Sequence, residues 1–345
     1  MTREIDYLNA RIRGMSGQLL PEERIRALLA ATTPEIWSAA LRDTPYAPYL
    51  GAGTDTDIRF LYRAVDAAIA VRTHRLDRIA AGRPAEAVRV CLAEWDLHNL
   101  LALASGLHHS ASPSDILDGT LAGGILDPGQ LEALAHCRNT KEASDFLAIW
   151  QFPYHRVFRQ AVGPGKGRFL GQKRLELVRS YTDALVQNAR ETSYGVLTRF
   201  LRDRIDQTNM MTALMWRTLP SDRDPAEFHL GGGASLNLKI FRSVLAAETY
   251  QDAVSELPAG WMRKSLREAA LDPDLDERAS ALQQAMEAEL VHRYSRPLAR
   301  DPMGIGLLLA YILRLHREGT RLKLTLTRLV FHIPGELFVQ MAGHV

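Results

Sequence analysis
The sequence predicts an all-α protein made of three similar helical domains. Two observations carry that prediction: a pair of sequence markers that alternates three times along the chain, and apolar spacing that follows the helical period almost throughout. The first marker is an apolar helical segment leading to a Thr and then an acid. It reads Leu28-Leu29-Ala30-Ala31-Thr32-Thr33-Pro34-Glu35, then Leu134-Ala135 through Thr140-Lys141-Glu142, then Val244-Leu245-Ala246-Ala247-Glu248-Thr249-Tyr250-Gln251-Asp252. The second is an Asp with Asn or Gly three residues on: Asp96-Leu97-His98-Asn99, Asp206-Gln207-Thr208-Asn209 and Asp301-Pro302-Met303-Gly304. Leu29 to Asp96 is 67 positions, Leu134 to Asp206 is 72 and Leu245 to Asp301 is 56. An enzyme usually gathers its chemistry in one place, whereas three similar units predict a scaffold of approximate threefold form.

The elements follow in order. Pro84 to Leu107 reads as one long helix, with Pro84 suited to a first turn and Gly106 near its end. Leu175 to Leu185 and Tyr194 to Leu219 read as two more, the second stopped by Pro220. Ala279 to Tyr294 carries Leu282, Met286, Leu290 and Val291 on one stripe. Asp301 is a suitable N-cap with Pro302 behind it, for a helix running to about Glu318. Beyond it, Leu322, Leu324 and Leu326 alternate with Lys323, Thr325 and Thr327, a strand-like pattern. A helix is the expectation there too, because no other segment offers that strand a partner. Breaks at 110–115 and 220–233 fall between repeat units, giving expected domains at 1–112, 113–222 and 223–345. Further breaks lie at 163–167 and 272–276.

Composition sets the class. The 345 residues divide into thirds of about 115, an ordinary single-core size. Hydrophobic residues are 46% and charged residues 24%, as in globular proteins generally. A net charge of +2 gives no uniform field to draw the chain to nucleic acid or anionic lipid. Cys91 and Cys137, both inside apolar helical patterns, make neither a disulfide framework nor a zinc cluster, so a reducing compartment is expected. The opening Met1-Thr2-Arg3-Glu4-Ile5-Asp6 has no charged-then-apolar signal region. The longest apolar stretch, Ile305 to Leu313, is far short of a bilayer span, so the chain is expected to be soluble and to reach a membrane only through a partner.

Each candidate site has a plain alternative. Asp96 with Asn99, and Asp206 with Asn209, stand three apart on long helices, so both polar groups of a pair share one face. Such a pair could bind a ligand or metal, but its recurrence at equivalent points of two repeats favours a buried pair that sets helix register. Gly163-Pro164-Gly165-Lys166-Gly167 lacks the phosphate-loop spacing and a preceding strand; Gly231-Gly232-Gly233 reads as a tight turn. Asp272, Asp274 and Asp276 begin like a calcium loop, but Glu277 stands where Gly is needed and Gln283 where Glu is needed. His108 and His109 are adjacent, so they diverge. Neither a Gly-x-Ser-x-Gly nor a His-Glu-x-x-His pattern occurs. No catalytic, cofactor or metal residue is therefore assigned. Asp96, Asn99, Asp206, Asn209 and Asp301 are packing candidates. Arg11 and Arg13 near the N-terminus, and the basic patch Lys166, Arg168, Lys173 and Arg174, are interface candidates, with a solvated surface as the plainer reading of the patch.

At its ends the chain resembles a known family. Tyr7-Leu8-Asn9-Ala10-Arg11-Ile12-Arg13-Gly14-Met15 and Asp301-Pro302-Met303-Gly304-Ile305-Gly306-Leu307-Leu308-Leu309-Ala310-Tyr311-Ile312 look like the opening and closing blocks of the C subunit of prokaryotic V/A-type ATPases, whose eukaryotic counterpart is the d subunit. Asp96 to Leu100 and Asp206 to Leu214 look like internal blocks of that family, in the right order, so the resemblance spans the chain. It implies a pseudo-threefold funnel of three helical domains without catalytic activity. It also implies a place on the cytoplasmic face of the membrane proteolipid ring, where the funnel receives the foot of the central shaft so that ring and shaft turn together. Nucleic acid is not an expected partner. Two other readings stay open at this point: an all-helical enzyme with a site between repeats, and a helical repeat scaffold for an unrelated assembly.

Overall fold
In the computed structural model, residues 2–51, 57–121, 123–163, 172–218, 223–269, 279–295 and 304–333 are described. Every long element among them is an α-helix. The first four are α1 (Thr2–Ser16), α2 (Glu22–Ala30), α3 (Pro34–Ala39) and α4 (Ile58–Ile79). Next come α5 (Gly82–His108), α6 (Pro113–Asp118), α7 (Pro128–Ala135), α8 (Thr140–Ile149), α9 (His155–Val162) and α10 (Arg174–Glu191). The last six are α11 (Gly195–Thr218), α12 (Leu238–Ala246), α13 (Tyr250–Ser255), α14 (Trp261–Ala269), α15 (Ala279–Ser295) and α16 (Gly306–Val330). The all-α class is as the periodicity predicts. The segment around Leu322 is helical, because Leu322, Thr325, Leu326 and Leu329 are buried at helical spacing while Lys323 and Leu324 are only half-buried. α16 therefore runs on well past Glu318, to Val330, with Ile305 at its N-cap. The N-cap proposed at Asp301 lies outside the described residues.

By contact density the chain forms two compact units. One comprises Met1–Arg11 with Leu41–Tyr194, the other Ile12–Ala40 with Gly195–Val345. In the first, α5 packs on α4 and α10, and Tyr181 of α10 donates its hydroxyl to the Ala93 carbonyl at 2.7 Å. In the second, α11, α15 and α16 pack together, and α12, α13 and α14 follow one another against α11 and α15. Its core gathers Met210, Leu214, Phe241, Val244, Leu257, Leu266 and Met286. Phe241 is fully buried, and a side chain of that size contributes about 1.5–3 kcal/mol by leaving water.

Pairs of short helices recur in a fixed register. The N-caps are Pro21 and Thr33 for α2 and α3, Asp127 and Asn139 for α7 and α8, Asn237 and Thr249 for α12 and α13. The second cap stands twelve positions after the first each time. Ile25 with Leu28, Leu131 with Leu134, and Phe241 with Val244 are the buried residues at matching places in the first helix of each pair. Local chemistry fixes these starts. Asp127 with Gln130, and Thr249 with Asp252, form reciprocal capping boxes, and Asn139 and Asn237 accept the N–H groups of Glu142 and Ile240. Pro21 has no side-chain oxygen to cap with; Glu22 and Glu23 in the first turn favour that helix end electrostatically.

Candidate functional site
The most chemically suggestive side chains are engaged with the chain's own backbone. Asp96 is fully buried, and its two carboxylate oxygens accept the N–H groups of Ile125 at 2.6 Å and Leu126 at 3.2 Å. Asn99, one helical turn on, both accepts from the Leu121 N–H at 2.7 Å and donates to the Leu121 carbonyl at 3.1 Å. In α11 the same bonds recur. Asp206 accepts from the N–H groups of Ala234, Ser235 and Leu236 at 3.1, 2.7 and 3.0 Å and from the Ser235 hydroxyl at 2.8 Å. Asn209 exchanges two bonds with Leu230, at 2.8 and 2.9 Å. Each pair therefore bonds the loop that leads into the next capped helix, where the spacing alone led one to expect bonds that set the register of neighbouring helices. Buried backbone N–H groups must find acceptors, and a carboxylate on a rigid helix serves several at once.

Close approach requires glycine here. A Cβ on Gly124 would lie closer than 3.0 Å to Asp96, and one on Gly233 would do the same to Asp206. In the turn before it, Gly232 takes φ +85, the left-handed region glycine enters freely.

A third clasp stands in α16, at residues the sequence did not single out. Glu318 accepts the N–H of Leu20, the residue just before the Pro21 cap, as Leu126 and Leu236 precede the caps Asp127 and Asn237. Arg321, three residues on like Asn99 and Asn209, grips Glu22 with two bonds of 2.6 and 2.8 Å. Asp96, Asp206 and Glu318 each lie twelve residues before the last residue of their helix, His108, Thr218 and Val330. In this third copy the loop comes from the other end of the chain. Trp37 is fixed to α16 by its indole N–H on the Thr325 hydroxyl at 2.8 Å, and Arg328 donates to the Leu29 carbonyl.

The electrostatics differ among the three. Burial pushes the Asp96 carboxyl up to about 7, against the lowering influence of the Ile125, Leu126 and Asn99 donors. Burial likewise raises Asp206, opposed by the bonds from Leu236 and Ser235. Glu22 is lowered, first by its bond to Arg321. Tyr154 and Tyr181, the aromatic neighbours whose titration Asp96 influences, are raised mainly by burial.

The remaining candidates scatter. Arg11 and Arg13 are exposed on α1, on either side of the fully buried Ile12. Lys173 donates its ammonium to the Gly163 carbonyl at 2.6 Å and Arg174 is exposed, while Lys166 and Arg168 lie outside the described residues, as do Asp272, Asp274 and Asp276. His108 and His109 are both exposed at the end of α5. Cys91 is buried in α5; Cys137 is buried two residues after α7 ends, not within a helix. Among the described residues no group of His, Cys, Asp and Glu is placed to hold a metal ion, and no helix is long and apolar enough to cross a membrane.

Helices that clasp successive loops in one register describe a whole-chain pattern, and whole-chain comparison agrees. Residues 8–327 match the family described as ATP synthase (C/AC39) subunit. The chain belongs to this family. Among curated relatives, the C subunit of the A-type ATP synthase of Thermococcus kodakarensis is 23% identical over 98% of this chain and 90% of its own length. The C subunits of the V-type ATP synthases of Deinococcus radiodurans and Thermus thermophilus are 27% and 26% identical, covering 94% and 97% of this chain and 87% and 97% of their own lengths. The match to the C/AC39 family spans both Asp-x-x-Asn pairs, Glu318 and Arg321 of α16, and nearly all of the two terminal blocks.

Proposed function
We propose that this chain is the socket of the central stalk in a V/A-type rotary ATPase. It sits on the cytoplasmic face of the membrane, joins the central shaft to the proteolipid ring, and performs no reaction itself. It serves ion transport coupled to ATP synthesis or hydrolysis. Family membership supports a place in the ATP synthase complex. The observation that favours a passive role is the fate of the polar pairs: Asp96, Asn99, Asp206 and Asn209 are fully buried and hydrogen-bonded to the backbone of the loop that follows each helix. Side chains enclosed and engaged in this way serve the chain's own backbone rather than a substrate.

The three-domain division at 1–112, 113–222 and 223–345 belongs to the same proposal. Each domain's last long helix then clasps the loop of the next, and α16 clasps that of the first, which suits a closed threefold funnel. A coupling that carries torque must not slip. One exposed ion pair contributes about 0–1 kcal/mol, so a wide contact of roughly 2,000 Å² or more is required. Pull-down of the purified chain with isolated shaft subunits and with the isolated ring tests this reading; binding to neither would end it.

A further inference from the structure
The α11 clasp carries a charged feature that its equivalents in α5 and α16 lack. Asp203 stands three residues before Asp206, where the other clasp helices have Ala93 and Leu315. Tyr181 meets the backbone of Ala93, whereas Tyr294 donates to the Asp203 carboxylate at 2.6 Å. Asp203 is buried and also takes the Nε of Arg293 at 3.2 Å, with the Arg293 side chain 39% exposed. The two equivalent positions carry no acid, so this one is particular to α11. Asp203 ties both Tyr294 and Arg293 to α11 and so fixes the position of the Arg293 side chain.

Arg293 and Asp203 line a cavity of about 210 Å³ with Ser235, Pro258, Trp261 and Met262. Ala259 and Gly260 are shared with an open hollow of about 480 Å³ lined by Arg263, Lys264, Arg267 and Glu268 on α14. Around the two hollows four cations face two acids, and one of those acids is the buried Asp203. Lys264 is 73% exposed and pairs loosely with Glu268 at 3.8 Å.

We propose that this face docks an acidic segment of a partner polypeptide, with one Glu or Asp side chain entering the cavity beside Arg293. A pre-positioned guanidinium recognises a carboxylate by paired bonds. The Pro258, Trp261 and Met262 side receives the methylene stem, and Lys264 and Arg267 hold further carboxylates at the rim. The cavity's size fits one side chain, and the chain's net charge of +2 supplies no broad attraction for a polyanion. The inference rests on the stalk reading only in that some other polypeptide of the ATPase supplies the segment.

Carbodiimide joins an amine to a carboxylate without a spacer, so the test is cross-linking of the complex isolated from its native membrane, mapped by mass spectrometry. Lys264 is expected to be joined to an Asp or Glu of another polypeptide; joining to Glu268 alone overturns the proposal. In parallel, the full-length double variant Lys264→Glu, Arg267→Glu, with circular dichroism unchanged, should retain partners at least tenfold more weakly than wild type. Retention of ATPase subunits within twofold of wild type overturns the inference and leaves the stalk reading intact. Cross-links from Lys264 to an acidic segment of a protein unrelated to the ATPase overturn the stalk reading and, with it, the stated source of the segment, while upholding this face as an acid-docking surface. Capture by phosphatidylglycerol vesicles without any polypeptide cross-link overturns the inference in favour of lipid.

Discussion
Asp96 and Gly124 are in such close apposition that no Cβ fits at position 124. Gly233 stands to Asp206 in the same way. The carboxylates can accept the following backbone N–H groups only because the chain passes over them bare. Gly124→Ala and Gly233→Ala should each lower unfolding free energy by about 1–3 kcal/mol, the usual cost of forcing atoms into an occupied site. Urea denaturation measures this. A loss below about 0.5 kcal/mol at both positions would mean that the loops move aside freely.

Asp96 should also make stability depend on pH. Its folded pKa is raised to about 7, whereas an unfolded Asp titrates at about 4. The folded chain thus keeps a proton that the unfolded chain gives up. The stabilisation from this group is complete below pH ~4 and is lost as pH rises through ~7. Glu22, lowered by Arg321, acts in the opposite sense, with a contribution present above its unfolded pKa and lost on acidification. The difference between wild type and Asp96→Asn isolates the first effect. Relative to that variant, wild type should lose about 1–3 kcal/mol between pH 4.5 and 7.5; a flat difference would place the Asp96 pKa back in the ordinary carboxylate range.

The α16 clasp joins segments at opposite ends of the sequence, without a short connection to help it reform. Arg321→Met removes both bonds to Glu22 and should cost about 0.5–1.5 kcal/mol, because Glu22 is 63% exposed and water screens the pair. Hydrogen exchange should then quicken across 21–39 and leave 125–135 unchanged. Equal quickening in both stretches would show that the clasps open together.

The two thiols should be silent in the native state. Burial raises Cys91 far above the usual range and Cys137 to about 11. A thiolate-dependent reagent such as Ellman's compound should therefore label neither until the chain unfolds. Labelling of Cys137 alone in native buffer would reveal local opening just after α7.

The helical class and the two Asp-x-x-Asn pairs were legible because each has a local sequence pattern; the recurring Thr-then-acid marker fell on the starts of α3, α8 and α13, although the cap of α8 is Asn139 and not Thr140. The partner of each polar pair was not, since helical spacing tells which face a side chain takes and is silent about what meets it. The Gly231-Gly232-Gly233 run signalled a turn; that Gly233 bears on Asp206 appears only in three dimensions. The third clasp escaped notice because Glu318 and Arg321 replace Asp and Asn with longer, charged groups. Their partners Leu20 and Glu22 also lie about 300 residues away. Alternation at 322–326 imitated a strand because Lys323 is half-buried and Thr325 is wholly buried against Trp37, which blurs the apolar period.

Completion of the α2–α3 pair by α16 has a consequence for synthesis on the ribosome. The pair emerges first, but the helix it seats against is translated nearly 300 residues later, a delay of roughly 15–60 s at ordinary elongation rates. Until then Trp37 and Leu28, both wholly enclosed in the finished protein, have no permanent cover. The nascent chain must shelter them, so a ribosome stalled before codon 306 should leave a product that chaperones hold and proteases clear.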